Sequence, residues 1–147
     1  MTLIFPRHDQ DASVERLPCA ECHLVGHPEP LRESIRRLQA YAEAGADVLY
    51  APGPRAREAL TAIVVAVAPK PVNVLMSADT GLRLADLAEL GVRRVSVGSA
   101  LARAAWTGFI AAATTMAREG SFAGFAGSVP FAALNDFFRE ELKRRSS

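Results

Sequence analysis

The stretch Arg93-Arg94-Val95-Ser96-Val97-Gly98-Ser99-Ala100-Leu101-Ala102-Arg103-Ala104-Ala105-Trp106 decides the fold class. A short apolar strand runs through a Gly-Ser turn directly into an alanine-rich helix, which is the βα step of an α/β protein. The turn sets Gly98 and Ser99 at the start of that helix. There the first backbone N–H groups lack intrahelical acceptors, and together with the helix dipole they favour a phosphate or carboxylate. The same residues also serve a purely structural purpose, a tight turn at Gly98 and a cap at Ser99.

Working outward, the pattern recurs upstream. The segments Glu43-Ala44-Gly45-Ala46-Asp47-Val48-Leu49 and Glu89-Leu90-Gly91-Val92-Arg93-Arg94-Val95 each read as helix end, glycine, strand. Leu31, Ile35, Leu38 and Ala42 recur at helical spacing, predicting a helix over 31–44 that Gly45 ends. A short strand over 46–51 follows, and Pro52-Gly53-Pro54 stops it and opens a helix over about 55–68 with Leu60, Ile63, Val64 and Val67 on one face. Val72-Asn73-Val74-Leu75-Met76 is the next strand, with Asp79 or Thr80 as N-cap of a helix carrying Leu84, Leu87 and Ala88. Strands therefore return every 22 to 26 residues or roughly so, the length of a βα unit, and their apolar character fits parallel strands covered on both faces. The helix after Ser99 is predicted to reach Glu119, and a glycine-rich loop over 120–127 precedes a last helix beginning near Ser128 or Pro130. That helix bears Phe131, Leu134, Phe137, Phe138 and Leu142 and ends in Lys143-Arg144-Arg145. Its aromatic side either docks on another element or subunit, or covers this chain's own core.

Composition narrows the class. The chain has 147 residues, half of them hydrophobic, and a formal charge of +1. That is enough for one domain with a sizeable core, and too little field of one sign to point to nucleic acid or a charged membrane. No apolar run approaches the roughly 18 residues of a membrane span, and Leu3-Ile4-Phe5 is cut short by Pro6 and Arg7, so a cytoplasmic location is expected. Residues 1–16 read as a loose lead-in that holds a solvated His8, and order is expected from Leu17.

Leu24-Val25-Gly26, the run from Ile35 through Ala44-Gly45-Ala46-Asp47-Val48-Leu49-Tyr50-Ala51-Pro52-Gly53, Lys70-Pro71-Val72-Asn73-Val74-Leu75-Met76 and Arg93 to Ala100 together resemble the isocitrate lyase/phosphoenolpyruvate mutase superfamily. The likeness spans about Leu17 to Phe125 and is nearest to the branch of methylisocitrate lyase and carboxyphosphonoenolpyruvate phosphonomutase. It implies a (β/α)8 TIM barrel that makes or breaks C–C or P–C bonds in small carboxylic acids with Mg²⁺. It also implies tetramers that exchange a C-terminal helix. Only the second half of such a barrel is matched, so the acidic Mg²⁺ ligands of the family's first half have no counterpart here. The expected architecture is α/β, a partial barrel of about four parallel βα units over 17–127, counting a degenerate strand near 17–21, with a helical arm over 128–147.

Carried over residue by residue, the family's Arg-Thr-acid strand motif puts Glu21 at the acidic position and Cys19 where a substrate-binding arginine is expected. A cysteine cannot make the two parallel hydrogen bonds by which arginine clamps a carboxylate. The lyases' glutamate falls on Pro52, and their strand asparagine falls nearest Leu75, with Asn73 two residues earlier on the same strand face. Glu21, Tyr50, Asn73, Leu75, Gly98 and Ser99 are therefore the candidate substrate contacts, and no catalytic residue is assigned. The expected function is a truncated or diverged lyase/mutase, inactive as this chain alone, whose ligand would be a small carboxylate or phosphonate. The alternative is a non-catalytic oligomeric scaffold or anion-binding module. An open half-barrel exposes apolar faces and strand edges, so self-association is expected.

Other constellations compete less well. Cys19-Ala20-Glu21-Cys22-His23 fits the C-x-x-C-H pattern of haem attachment, and Cys19 and Cys22 with His23 or His27 could offer zinc ligands, against a simple reading as two reduced thiols. Asp47 lies at the N-terminal end of its strand, the stability face of a barrel, and is read as structural. Tyr50 could line a pocket or fill the layer under a helix, and Trp106 is read as packing. Arg55 and Arg57 could reach an anion at the mouth of the sheet or stay solvated.

Overall fold

The computed structural model describes residues 2–4 and 16–145. Ten glycines and nine prolines punctuate the chain into short units, and the predicted strands near 48, 74 and 95 are each found between helices. The elements are β1 (Thr2–Ile4), α1 (Pro30–Glu43), β2 (Leu49–Tyr50), α2 (Arg57–Val67), β3 (Val72–Leu75), α3 (Leu84–Glu89), β4 (Arg94–Ser96), α4 (Ala100–Glu119) and α5 (Phe131–Arg145). A single 3₁₀ turn at Ala123–Phe125 interrupts the link from α4 to α5.

The chain forms two compact units, Met1–Ala102 and Arg103–Ser147. In the first, the sheet order is β1-β4-β3-β2, with β2, β3 and β4 parallel. Leu49 sits opposite Val72, Val74 opposite Val95, and Leu75 opposite Ser96. Leu49, Val72, Val74 and Val95 belong to one buried cluster with Leu38 of α1, Leu60, Ile63 and Val67 of α2 and Leu87 of α3. Side chains alternate along a strand, so this set defines the helix-covered face. Burying such side chains contributes about 1.5 to 3 kcal/mol each, which makes this face the energetic centre of the unit.

Local chemistry fixes the helix ends. Pro30 stands in the first turn of α1, where its missing N–H costs nothing, and Glu33 one turn on accepts from Arg36 and Arg37, both at 2.7 Å. Those two guanidiniums hold the Glu33 carboxyl down to about 2. Gly45 and Gly91 follow α1 and α3 with φ of 88° and 90°, as the repeated pattern predicted. Asp47 accepts from the Arg16 backbone N–H at 2.8 Å and its guanidinium at 3.3 Å, tying the chain ahead of Cys19 to the start of β2. The structural reading of Asp47 is in keeping with this.

Several expectations change. Residues 2–4, read as part of a loose lead-in, form β1 and pair antiparallel with β4, Leu3 opposite Val95. Residues 5–15 of the lead-in, His8 included, lie outside the described residues. The strand foreseen near 17–21 reduces to one parallel bridge, Cys19 to Tyr50, because the chain turns away at Glu21–Gly26. Helix α2 begins at Arg57, after Pro52-Gly53-Pro54 has been used entirely as a loop. Helix α3 begins at Leu84 instead of at Asp79 or Thr80, whose side-chain oxygens are taken by the nearby N–H groups of Gly81 and Leu82. Such Asx- and Thr-type turns compete with helix initiation. The carboxylate of Asp86 then accepts from the Arg83 N–H at 2.7 Å to start α3.

The second unit carries most of α4, the 3₁₀ turn and α5. Its rings pair locally: Trp106 with Phe109, Phe122 with Phe125, and Phe137 with Phe138. Trp106, Phe109, Ile110, Phe131, Phe137 and Phe138 are all more than half exposed. Among the described residues no helix is long and apolar enough to cross a membrane.

Candidate functional site

The sheet face turned away from α1, α2 and α3 is polar. Cys19 bridges Tyr50, Tyr50 is opposite Asn73, and Asn73 is opposite Arg94, so one transverse row carries a thiol, a phenol, an amide and a guanidinium. Cross-strand partners share a face, as do residues two apart along a strand. Leu75 and Ser96 therefore stand on the same side, one step toward the carboxyl ends of the strands, and the Glu21 carboxylate reaches this flank through the Cys19 thiol. Parallel α/β sheets hold their ligands at that end.

Asn73 is the centre of this face. It is 1% exposed; its Oδ1 accepts from the Ser96 hydroxyl at 2.9 Å, while its Nδ2 is buried with no hydrogen-bond acceptor. A buried donor left unpaired costs about 1 to 3 kcal/mol, so this amide is a place where a ligand acceptor would be rewarded. At one flank the Cys19 thiol donates to Glu21 Oε1 at 3.6 Å. Desolvation first, then the charge and hydrogen bond of Glu21, push the thiol up to about 11. Desolvation, with the charges of Cys19 and Glu21, likewise raises the Tyr50 phenol. At neutral pH the row thus presents a neutral thiol and a neutral phenol: hydrogen-bonding groups, with no thiolate nucleophile.

At the other flank Gly98 lies over Leu75. A Cβ added at Gly98 would sit 3.4 Å from Leu75 Cδ1, and the φ of 53° is one that side-chain-bearing residues rarely adopt. The turn therefore touches the candidate strand at Leu75, with Ser99 next along the chain. The Ala100 N–H is spent on the Val97 carbonyl at 3.1 Å, which removes one of the donors that the start of α4 would offer an anion. Of the two arginines considered for an anion, Arg57 is paired with Asp86 at 3.0 Å, whereas Arg55 reaches the Ser77 hydroxyl in the loop after β3 at 3.4 Å.

The loop after β2 is held by close approach. A Cβ on Gly53, whose φ is 117°, would stand 2.3 Å from His23 Cβ. His23 thus packs on the Pro52-Gly53-Pro54 turn, its Nε2 buried without a partner and its basicity lowered by desolvation. Cys22 is buried in the first unit and Cys19 is partly exposed; both are free thiols. Among the described residues no three His, Cys, Asp or Glu side chains gather as metal ligands.

Six residues were predicted from sequence, and the structure brings Glu21, Tyr50, Asn73 and Leu75 to one face with the Gly98-Ser99 turn at its rim. Sequence reading missed Ser96 and Arg94. Their signal was available: Arg94-Val95-Ser96 alternates polar, apolar, polar, the mark of a strand with one face off the core.

The thiol gives a first measurable consequence. At pH 8 iodoacetamide is expected to alkylate Cys19 about 100-fold more slowly than free cysteine, because the thiolate is the reacting form. Glu21→Gln removes the negative charge that contributes to the shift and should raise the rate. The associated stability is fully present below the unfolded thiol's value, about 8.5, and declines as pH climbs toward 11. Equal rates for Cys19 and free cysteine, read by mass spectrometry of the native chain, would contradict the assignment.

Comparison with known proteins places the fold. A crystal structure from Burkholderia cenocepacia J2315, described as a lyase/mutase, is 47% identical, with a TM-score of 0.76 over 83% of this chain and 44% of that chain. A second from the same organism, described as a phosphonomutase, is 38% identical, with a TM-score of 0.51 over 63% of this chain and 35% of that one. Oxaloacetate acetylhydrolase in complex with oxalate shares the fold at 22% identity, a TM-score of 0.59 and 77% coverage of this chain, 42% of its own. No curated protein matches. The chain spans less than half the length of these solved structures and is a partial (β/α) barrel. With residues 19–117 matching the phosphoenolpyruvate phosphomutase family over the segment that builds the polar sheet face, the chain belongs to that family.

Proposed function

We propose that this chain is a diverged lyase/mutase relative that binds a small carboxylate or phosphonate on the polar face of its sheet and does not complete C–C or P–C bond chemistry by itself. The observation that carries the reading is the buried, acceptor-less Nδ2 of Asn73, flanked by the neutral donors of Tyr50 and Cys19 and rimmed by Gly98 and Ser99. Substitution of cysteine at the family's arginine position supports inactivity, since a protonated thiol neither clamps a carboxylate nor neutralises developing charge. Arg94, in the same row as Asn73, and Arg55, in the loop after β2, are the cations this chain offers an anionic ligand instead. Mg²⁺ would be the family's metal.

Self-association belongs to the same reading. The exposed rings of Trp106, Phe109, Phe137 and Phe138 support a contact between copies through the second unit.

The test is the increment in melting temperature with oxaloacetate, isocitrate, phosphonopyruvate and inorganic phosphate. At ten times the Kd, binding stabilises by about 1.4 kcal/mol, several degrees for a domain this size. The expected result is an increment with at least one of these anions that Gly98→Asp abolishes, and no turnover of any of them. Binding without turnover is also what an anion-binding module would give. Turnover by the chain alone, or no increment with any anion, would overturn the proposal.

A further inference from the structure

The strand at the edge of the sheet points to an interaction surface that nothing above uses. The three parallel strands run β2, β3, β4, and the Cys19 bridge extends them in parallel on the β2 side. On the β4 side, however, the neighbour is β1, and it is antiparallel. A barrel closes by parallel pairing of its last strand with the next, so β1 occupies the edge where a further parallel strand would have to sit.

We propose that the outer edge of β4 is a docking edge for a second copy of this chain, and that β1 is a displaceable seal over it. The proposal deepens the self-association argued above, adding a second contact in the first unit. A second copy fits the edge chemically: its Pro18–Ala20 segment runs parallel to its own β2, bridges Tyr50 on one side, and among the described residues has no strand on the other. Placing that segment on β4, and repeating the junction by a twofold axis, gives two identical contacts and a closed ring of parallel strands with no edge left. The chain covers 44% of its 47%-identical relative, so two copies approach the length of one such barrel.

The seal is weak by construction. It is three residues long, pairing only Thr2 with Ser96, Leu3 with Val95 and Ile4 with Arg94, and strands this short open at low cost. Its removal exposes the N–H and C=O row of β4, which needs a partner.

Two variants test this, deletion of residues 1–4 and the triple substitution Thr2→Pro, Leu3→Pro, Ile4→Pro, which keeps the length and removes every N–H that β1 could donate. Light-scattering mass is measured over a concentration series for both and for the full chain. The expected result is that both variants double the particle mass of the full chain, whatever that mass is, with at least a tenfold lower dissociation constant for the doubling. Unchanged mass curves would overturn the seal even if the full chain is itself an oligomer, which leaves the second-unit contact standing. Mass that grows without limit would overturn the closed pairing. If the proline variant unfolds, as seen by circular dichroism, the deletion decides alone.

Discussion

Gly53→Ala is expected to lower the free energy of unfolding by about 3 kcal/mol, as read from urea midpoints at unchanged slope. Two causes add. The φ of 117° is strained for any residue with a Cβ, and that Cβ would stand 2.3 Å from His23 Cβ and 3.0 Å from its Cγ. The far end of a flexible side chain could move aside, but a Cβ fixed to its own backbone cannot. His23→Gly placed on Gly53→Ala should restore the steric share and leave the conformational share, so the pair is expected to be non-additive. A loss below about 0.5 kcal/mol would show that the Glu21–Gly26 loop does not sit on the turn after β2, and with it the placement of Glu21 beside Cys19 would fall.

Asn73→Leu is expected to separate binding from stability. The substitution deletes the Ser96 bond, worth about 1 kcal/mol, but also deletes a buried donor whose lack of an acceptor costs about 1 to 3 kcal/mol. Leucine keeps the branching and heavy-atom count of the amide side chain but is bulkier, so crowding offsets part of the gain and the melting temperature should change little. The anion-induced increment should vanish, with affinity falling at least tenfold. Asn73→Asp is the informative contrast: it keeps the shape but sets a buried charge against an anionic ligand, and both stability and binding should fall. A large loss of stability in Asn73→Leu would mean that the amide is a structural member of the sheet and not a vacant contact.

Much of this architecture was written in the spacing of residues. The glycines at 45 and 91, each after a helical apolar stripe and before an apolar run, located two βα junctions, and both carry the positive φ that such an ending needs. What spacing could not show was competition among local polar groups. Asp79 and Thr80 have the composition of helix caps, yet their oxygens close turns first, and α3 waits for Asp86 to cap it. Nor could three residues as ordinary as Thr2-Leu3-Ile4 announce an antiparallel pairing with a strand some 90 positions away, because long-range pairing is set by which edge is open. The candidate site was half legible. Asn73 and Tyr50 stood out as polar groups in apolar strands, whereas Ser96 and Arg94 were absorbed into a run read as apolar on both faces, and only the register shows them in line with Asn73.

The partial resemblance also acquires a physical meaning. On the proposed reading, Cys19 at the family's arginine position would keep the sheet face and its hydrogen bonds but not the cation that orients a carboxylate. Binding through neutral donors is weaker and less directional than through a bidentate guanidinium, which sets the expectation of ligand binding without turnover.

The most direct measurement is the side-chain amide resonance of Asn73 in an ¹⁵N-labelled sample titrated with oxaloacetate and phosphonopyruvate. The account predicts a saturable shift of the Asn73 Nδ2 protons, with the backbone amides of Gly98 and Ser99 moving along the same isotherm. Saturable shifts confined to other residues, or none up to millimolar ligand, would contradict the assignment of the polar sheet face as the binding site.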